Sequence, residues 1–288
     1  MYALNSRVND LYFGILLLDE QLKQNALLQD ELERNYRQIT AYVENGIANQ
    51  ADLDAVKVEQ LNTKQKRVEL TSSRTAYLKM LSLLVGEKLS QETVLEKPVS
   101  QSEISSVSEI RRPELSLFNA QGNGLQVQEK ALNVRHLPQF GLFVQGAYGN
   151  PGLNMLKNEF SPYYIAGVRL SWNFGSLYTL KNDRKVIENK RRQLDNSRDV
   201  FLFNTRLEMT QQDQAIQSLE KQMQDDDEII RLRTNIRKSA EAKVANGTLT
   251  VTEMLRELTN ESLARQSKAL HEIQRLMGIY QLKYTTND

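Results

Sequence analysis

Catalysis and metal binding need nucleophiles, imidazoles or convergent acids, and this chain offers few of them. It has no cysteine, which removes thiolate chemistry, a disulfide framework and Cys-based metal sites. The two histidines, His136 and His271, stand far apart with no carboxylate spacing that would make a metal motif, and each reads as a surface or packing residue. There is no glycine-rich phosphate loop and no Ser or Thr nucleophile beside a histidine. Most carboxylates alternate with Lys and Arg as on a solvated helix face, and the run Asp225, Asp226, Asp227 reads the same way. Neither an enzyme nor a cofactor is expected. The acids that stand out are Asp52 and Glu253, because each follows an Asn-Gly pair at the same distance and each completes a helix-capping pattern.

The elements that position these acids follow from the patterning. With 288 residues the chain makes one large domain or two ordinary ones, and 40% apolar against 25% charged residues gives solvated helices rather than a deep core. Lys plus Arg number 37 against 36 for Asp plus Glu, so a net charge of +1 offers no footprint for nucleic acid and no tether to anionic lipid. No apolar run approaches a membrane-spanning helix, and Met1 to Asp10 has neither the basic start nor the apolar centre of a signal peptide.

Stepping alternately by four and three from Leu4 gives Leu4, Val8, Leu11, Ile15, Leu18, Leu22, Asn25, Gln29, Leu32, Tyr36, Ile39 and Val43, a sustained coiled-coil seam. It stops at Asn45-Gly46, where glycine supplies the left-handed residue past a helix end. Asn49 then caps a second helix from Ala51 to about Gly86, with Asp52 bonding back and a weaker seam through Leu53, Val56, Leu70, Tyr77, Leu81 and Leu84. Residues 1–86 thus form a helical hairpin. Residues 87–112, with Pro98 and the Ser-rich run Ser100 to Ser108, read as an irregular linker. Pro113 opens a helix over 113–136, and Leu137-Pro138 ends it.

The period then changes to two, making 137–178 a strand hairpin. Tyr164, Ala166, Val168, Leu170, Trp172 and Phe174 share one face, and Tyr163, Ile165, Gly167, Arg169, Ser171 and Asn173 the other. Gln139 to Gly149 is the partner, with Phe140, Leu142, Val144 and Tyr148 on one face. Such long strands with one greasy face suit a transmembrane barrel, and a soluble sheet with one buried face is the alternative. From 179 to 288 comes a second helical hairpin. Its first helix spans Thr179 to Ala245 with sparse apolar residues such as Ile216, Leu219, Met223 and Ile230. It turns at Asn246-Gly247, and Thr250 with Glu253 caps the last helix, which runs to about Tyr284.

Ala41 to Gly46 aligns with Ala242 to Gly247 at an offset of 201 residues, and Asp52 and Leu53 align with Glu253 and Met254. A repeat of such long period implies two quasi-equivalent hairpins side by side. The first copy then lacks its leading elements, which leads us to expect a parent longer by roughly 90 residues plus a signal peptide.

The order helix, Leu137-Pro138, strand hairpin closing on Trp172-Asn173-Phe174-Gly175, very long helix, Asn-Gly tip and returning helix resembles the TolC-like outer-membrane efflux proteins over the whole chain; Arg112-Pro113-Glu114-Leu115, Asn45-Gly46 and Asn246-Gly247 also match. The resemblance implies a mainly α fold, long antiparallel coiled-coil hairpins of the α-barrel type with one β-hairpin of an outer-membrane β-barrel. It implies a homotrimer of the outer membrane and periplasm, docked on a periplasmic adaptor and an inner-membrane pump. Its function would be that of the exit duct of a tripartite efflux or type I secretion system, for small molecules or proteins. This chain departs from the pattern in showing one strand hairpin and no signal peptide. By resemblance, Asp52, Glu253 and Arg256 fall at the pore-lining periplasmic gate, Asn45, Gly46, Asn246 and Gly247 form adaptor-docking tips, and Tyr164, Val168, Leu170, Trp172 and Phe174 face outer-membrane lipid. The plainer reading makes Asp52 and Glu253 capping residues only, and the competing function is a soluble coiled-coil scaffold.

Overall fold

The structure is a computed structural model that describes residues 2–98 and 109–287. Its elements run α1 (Tyr2–Glu44), α2 (Gln50–Val85), α3 (Pro113–Arg135), β1 (Gln139–Gly149), β2 (Ser161–Ser171), α4 (Gly175–Ala245) and α5 (Val251–Thr286). The expected order of long helices around a single strand hairpin is what is found, while the Ser100 to Ser108 run lies outside the described residues. Contacts group the chain into two units, Met1–Arg111 with Thr205–Asp288, and Arg112–Asn204, with the border falling inside α4.

In the first unit the seam of α1 is buried or half-buried at every position from Val8 to Val43, and only Leu4 is exposed. Leu11 and Ile15 pack on Leu78 and Leu81 of α2, while Phe13 and Leu16, one step round the helix, pack on Ile273 of α5. Each such side chain contributes about 1.5–3 kcal/mol by leaving water. The seam's one buried amide, Asn25, donates to the Thr63 carbonyl across the α1–α2 interface at 3.1 Å, a polar contact that fixes register. The second seam differs from expectation at one position. Leu78 is buried and Tyr77 is exposed, with one edge of the Tyr77 ring resting against Gly14, where a Cβ would come within 2.6 Å of it.

The irregular stretch after α2 is tied down. The Arg74 guanidinium bonds the carbonyls of Gln91 at 2.7 Å and Thr93 at 2.8 Å and pairs with Asp19 of α1. Lys97 sits between Glu20 of α1 at 3.1 Å and Glu272 of α5 at 3.6 Å.

In the second unit α3 runs beside the start of α4. Phe118 meets Phe201 at 5.8 Å between ring centres, with the Arg112 guanidinium over Phe201, and Arg191 pairs with Glu129 at 3.0 Å. The strands pair antiparallel in the register Gln139 to Ser171, Val144 to Ala166 and Gly149 to Ser161. The second strand ends at Ser171, so Trp172 and Phe174 lie beyond it rather than on its apolar face. The Trp172 indole N–H instead donates to the His136 carbonyl at the end of α3, at 3.2 Å, and its ring sits 4.3 Å from that of Phe174. Helix α4 then starts at Gly175, ahead of the expected Thr179, because the Phe174 carbonyl accepts the Leu177 N–H and begins the first turn there.

Candidate functional site

The two Asn-Gly turns are copies of one another in geometry. Gly46 and Gly247 adopt φ of 74° and 67°. In the first turn the N–H of Gly46 meets the Val43 carbonyl at 3.1 Å and that of Ile47 meets Tyr42 at 2.8 Å; in the second, Gly247 meets Val244 at 2.9 Å and Thr248 meets Lys243 at 2.9 Å. The Asn45 and Asn246 amides turn back alike, onto the carbonyls of Ala41 at 2.7 Å and Ala242 at 2.8 Å. The internal repeat read from sequence is thus a repeat of backbone conformation.

Both expected caps form. Asn49 Oδ1 accepts the Asp52 N–H at 3.0 Å and Asp52 Oδ2 accepts the Asn49 N–H at 3.1 Å. Thr250 Oγ1 accepts the Glu253 N–H at 3.2 Å, and Glu253 Oε2 accepts from the Thr250 backbone at 3.2 Å and hydroxyl at 2.9 Å. A cap of this kind contributes about 1 kcal/mol. The Thr250 hydroxyl and backbone N–H, with Arg256 nearby, hold the Glu253 carboxyl below the usual glutamate range. Arg256 itself is exposed and 3.7 Å from Glu257. Behind the turns, Val56, Val244, Val251, Met254 and Leu255 share one core cluster with Leu32 and Ile39, flanked by Ala48 and Leu249 from the turns themselves. Asp52 and Glu253 are therefore brought to the same end of the helices, each bonded to its own cap.

A charged knot that sequence reasoning missed lies farther from the turns. Arg237 of α4 reaches Glu31 of α1 at 3.1 Å and also pairs with Glu241 and with Glu261 of α5. Glu261 is only 4% exposed and accepts from Thr234 at 2.7 Å and Arg265 at 2.6 Å. Burial disfavours its charge, yet the bonds from Arg265, Thr234 and Arg237 outweigh this and hold its carboxyl below the ordinary range. The i,i+4 pairs Arg237–Glu241 and Glu261–Arg265 were visible in the sequence; that α4 and α5 bring them together was not. The acidic run also needs correction: Asp225 is exposed, but Asp226 is buried against His271 Nδ1 at 2.9 Å, and Asp227 pairs with Lys268. No cluster able to hold a metal occurs among the described residues.

The strand hairpin is the other notable surface. The register sets Phe140, Leu142, Val144 and Tyr148 of β1 on the same face as Leu170, Val168, Ala166 and Tyr164 of β2. Leu142 is 86% exposed and Val144 and Tyr164 each 78%, so this face is bare. On the opposite face the Phe143 ring covers Gly167 and the Arg169 guanidinium lies over that ring at 5.5 Å. Each strand has 11 residues, the length a tilted strand needs to cross a bilayer.

Comparison of the sequence with protein-family profiles and with curated proteins gives no match. Solved structures do match over 99% of the chain. They include the outer membrane protein VceC of Vibrio cholerae, at TM-score 0.79 and 11% identity, and the CmeC outer membrane channel of Campylobacter jejuni, at 0.75 and 12%. CusC, whose structures concern folding and transmembrane channel formation, matches at TM-score 0.80 and 15% identity. The chain has the TolC-like outer membrane factor fold. It spans 70%, 62% and 68% of those three chains, about two thirds of a channel protomer.

Proposed function

We propose that the protein is the wall of an exit duct: a homotrimer of the outer membrane and periplasm that, with a periplasmic adaptor and an inner-membrane pump, exports small molecules or proteins. The observation that carries this is the strand hairpin, two paired 11-residue strands whose whole apolar face lies uncovered. Bare apolar surface of this extent marks a partner or a membrane, and lipid matches its alternation and length. The likeness to outer membrane channels supports the same reading. In it Tyr164, Val168 and Leu170 meet lipid, with Trp172 and Phe174 just past the strand end as aromatic anchors. The tips Asn45-Gly46 and Asn246-Gly247 meet the adaptor, and Asp52 and Glu253, with Arg256 beside the latter, ring the periplasmic entrance. Three copies of each acid around one axis attract cations.

Protein extracted from the outer membrane and placed in planar bilayers tests this. Cation-preferring conductance is the expected result. The double variant Asp52→Asn, Glu253→Gln keeps side chains able to serve the caps but removes the charge. It should lose the cation preference while still folding and assembling. Protein confined to the soluble fraction with no conductance would overturn the duct and support a soluble scaffold.

A further inference from the structure

Charge is unevenly spread along the chain: the whole carries +1, yet residues 181–192 hold six Lys and Arg against two acids. This stretch lies near the start of α4, just beyond the end of β2. Many of its charges are already bound. Arg184 donates to Asn133 Oδ1 at 2.8 Å, Arg191 pairs with Glu129 at 3.0 Å, Arg192 pairs with Glu188 at 2.6 Å, and Asp183 accepts from Thr179 at 2.9 Å. Lys181, Lys185 and Lys190 are left exposed, with no acidic partner among the described residues. We propose that Lys181 and Lys185 bind the anionic headgroups of phospholipids in the periplasmic leaflet, at the edge of the hairpin. This rests on the duct reading, which puts the hairpin in lipid, and it names the lipid class held at its inner rim.

Three features of this stretch support the assignment. The first is level. Counted from Gly175, where α4 begins, Lys181 and Lys185 stand about 9 and 15 Å along the helix axis. Side chains on a helix lean toward its N-terminus, so both ammonium groups reach back toward the strand end and the headgroup layer that borders the hydrocarbon. Lys190, about 22 Å along, falls short of that layer. The second is company. Tyr178, 92% exposed, shares a helix face with Lys181 and Lys185, and Trp172 and Phe174 precede it at the strand end. Aromatic rings followed by long cationic side chains mark the polar edge of a membrane. The third is charge. Lysines four residues apart on a bare helix face repel each other, and an anion between them turns that repulsion into attraction. Helix α3 does not cover them, because it lies on the other side of α4, where Leu194 faces Gly122 and Arg184 meets Asn133.

Trp172 is the chain's one tryptophan and lies just past the strand end, so its fluorescence reports which lipid sits beside it. Membrane-extracted protein is reconstituted into vesicles containing brominated phosphatidylglycerol or brominated phosphatidylcholine, and quenching of Trp172 is compared at matched mole fractions. The anionic lipid should gain about fivefold in apparent affinity for each lysine it meets, and about 1 M NaCl should shrink the gain. Lys181→Gln with Lys185→Gln should bring the two lipids to parity, while Lys190→Gln should leave the preference intact. Equal quenching by both lipids in the wild type, or a preference that survives the double variant, would overturn the assignment and leave the duct standing. So would a preference abolished by inorganic phosphate at constant ionic strength, which would mark a site for free phosphate. Quenching by neither lipid would take the hairpin out of the membrane, and the duct reading would fall together with the lysine site.

Discussion

The left-handed glycines at the two turns have open space where a Cβ would go, so any substitution there acts through backbone strain and not through a clash. Asn tolerates that conformation and a β-branched residue does not. Gly46→Val with Gly247→Val should therefore splay the tips and abolish export while the assembly still forms, whereas Asn at both positions should be nearly silent; equal export by the two variants would remove the docking role. Glu261 acts differently, as the buried anion that Arg237 and Arg265 share. Glu261→Gln strips Arg237 of one of its three carboxylate partners and should cost roughly 3 kcal/mol in thermal unfolding. Because the folded-state pKa of Glu261 is depressed, its contribution is present above the ordinary glutamate pKa and is lost as pH falls through the lower folded value. The wild type should thus lose stability on acidification below about pH 4.5, its ordinary pKa, and Glu261→Gln should lose less. Parallel pH curves for the two would contradict the knot. The caps were legible because they are local, a pattern of four residues. The knot was not, because an ion pair between α4 and α5 depends on which faces pack.

The strand hairpin shows how far alternation alone carries. The period-two pattern placed both strands and sorted Tyr164, Ala166, Val168 and Leu170 onto one face, matching the register found. It overran at Trp172 and Phe174, because alternation cannot see the indole N–H turn aside to the end of α3. That boundary bears on depth: Leu170 lies next to the strand end, whereas Val144 and Ala166 pair at the centre. A lipid-facing Arg costs about 2–4 kcal/mol at the midplane and little near the interface. Val144→Arg should therefore reduce membrane insertion far more than Leu170→Arg, and Gln145→Arg, on the opposite face, should be tolerated. An insertion assay that ranks the three equally would exclude a lipid-facing role. Among the helices, the α1 seam was legible residue by residue because one strong period ran through it. The α2 seam slipped at Tyr77 because a glycine on the facing helix gave the aromatic ring a place to lie.

At the scale of the molecule, the repeat at an offset of 201 residues led from sequence to two matching turns in one core cluster, which is the geometry that sets Asp52 and Glu253 at a common end. What the sequence could not show is which helix faces stay uncovered, since that depends on which faces pack against one another. An exit duct requires one surface, the bare face of the hairpin, to lie in lipid. An environment-sensitive fluorophore attached at Val144→Cys or at Gln145→Cys, in protein assembled in outer membranes, measures this directly. A lipid-facing hairpin gives a blue-shifted label at position 144 that lipid-confined quenchers extinguish, and a label at position 145 that only aqueous quenchers reach. Aqueous quenching at both positions would contradict it.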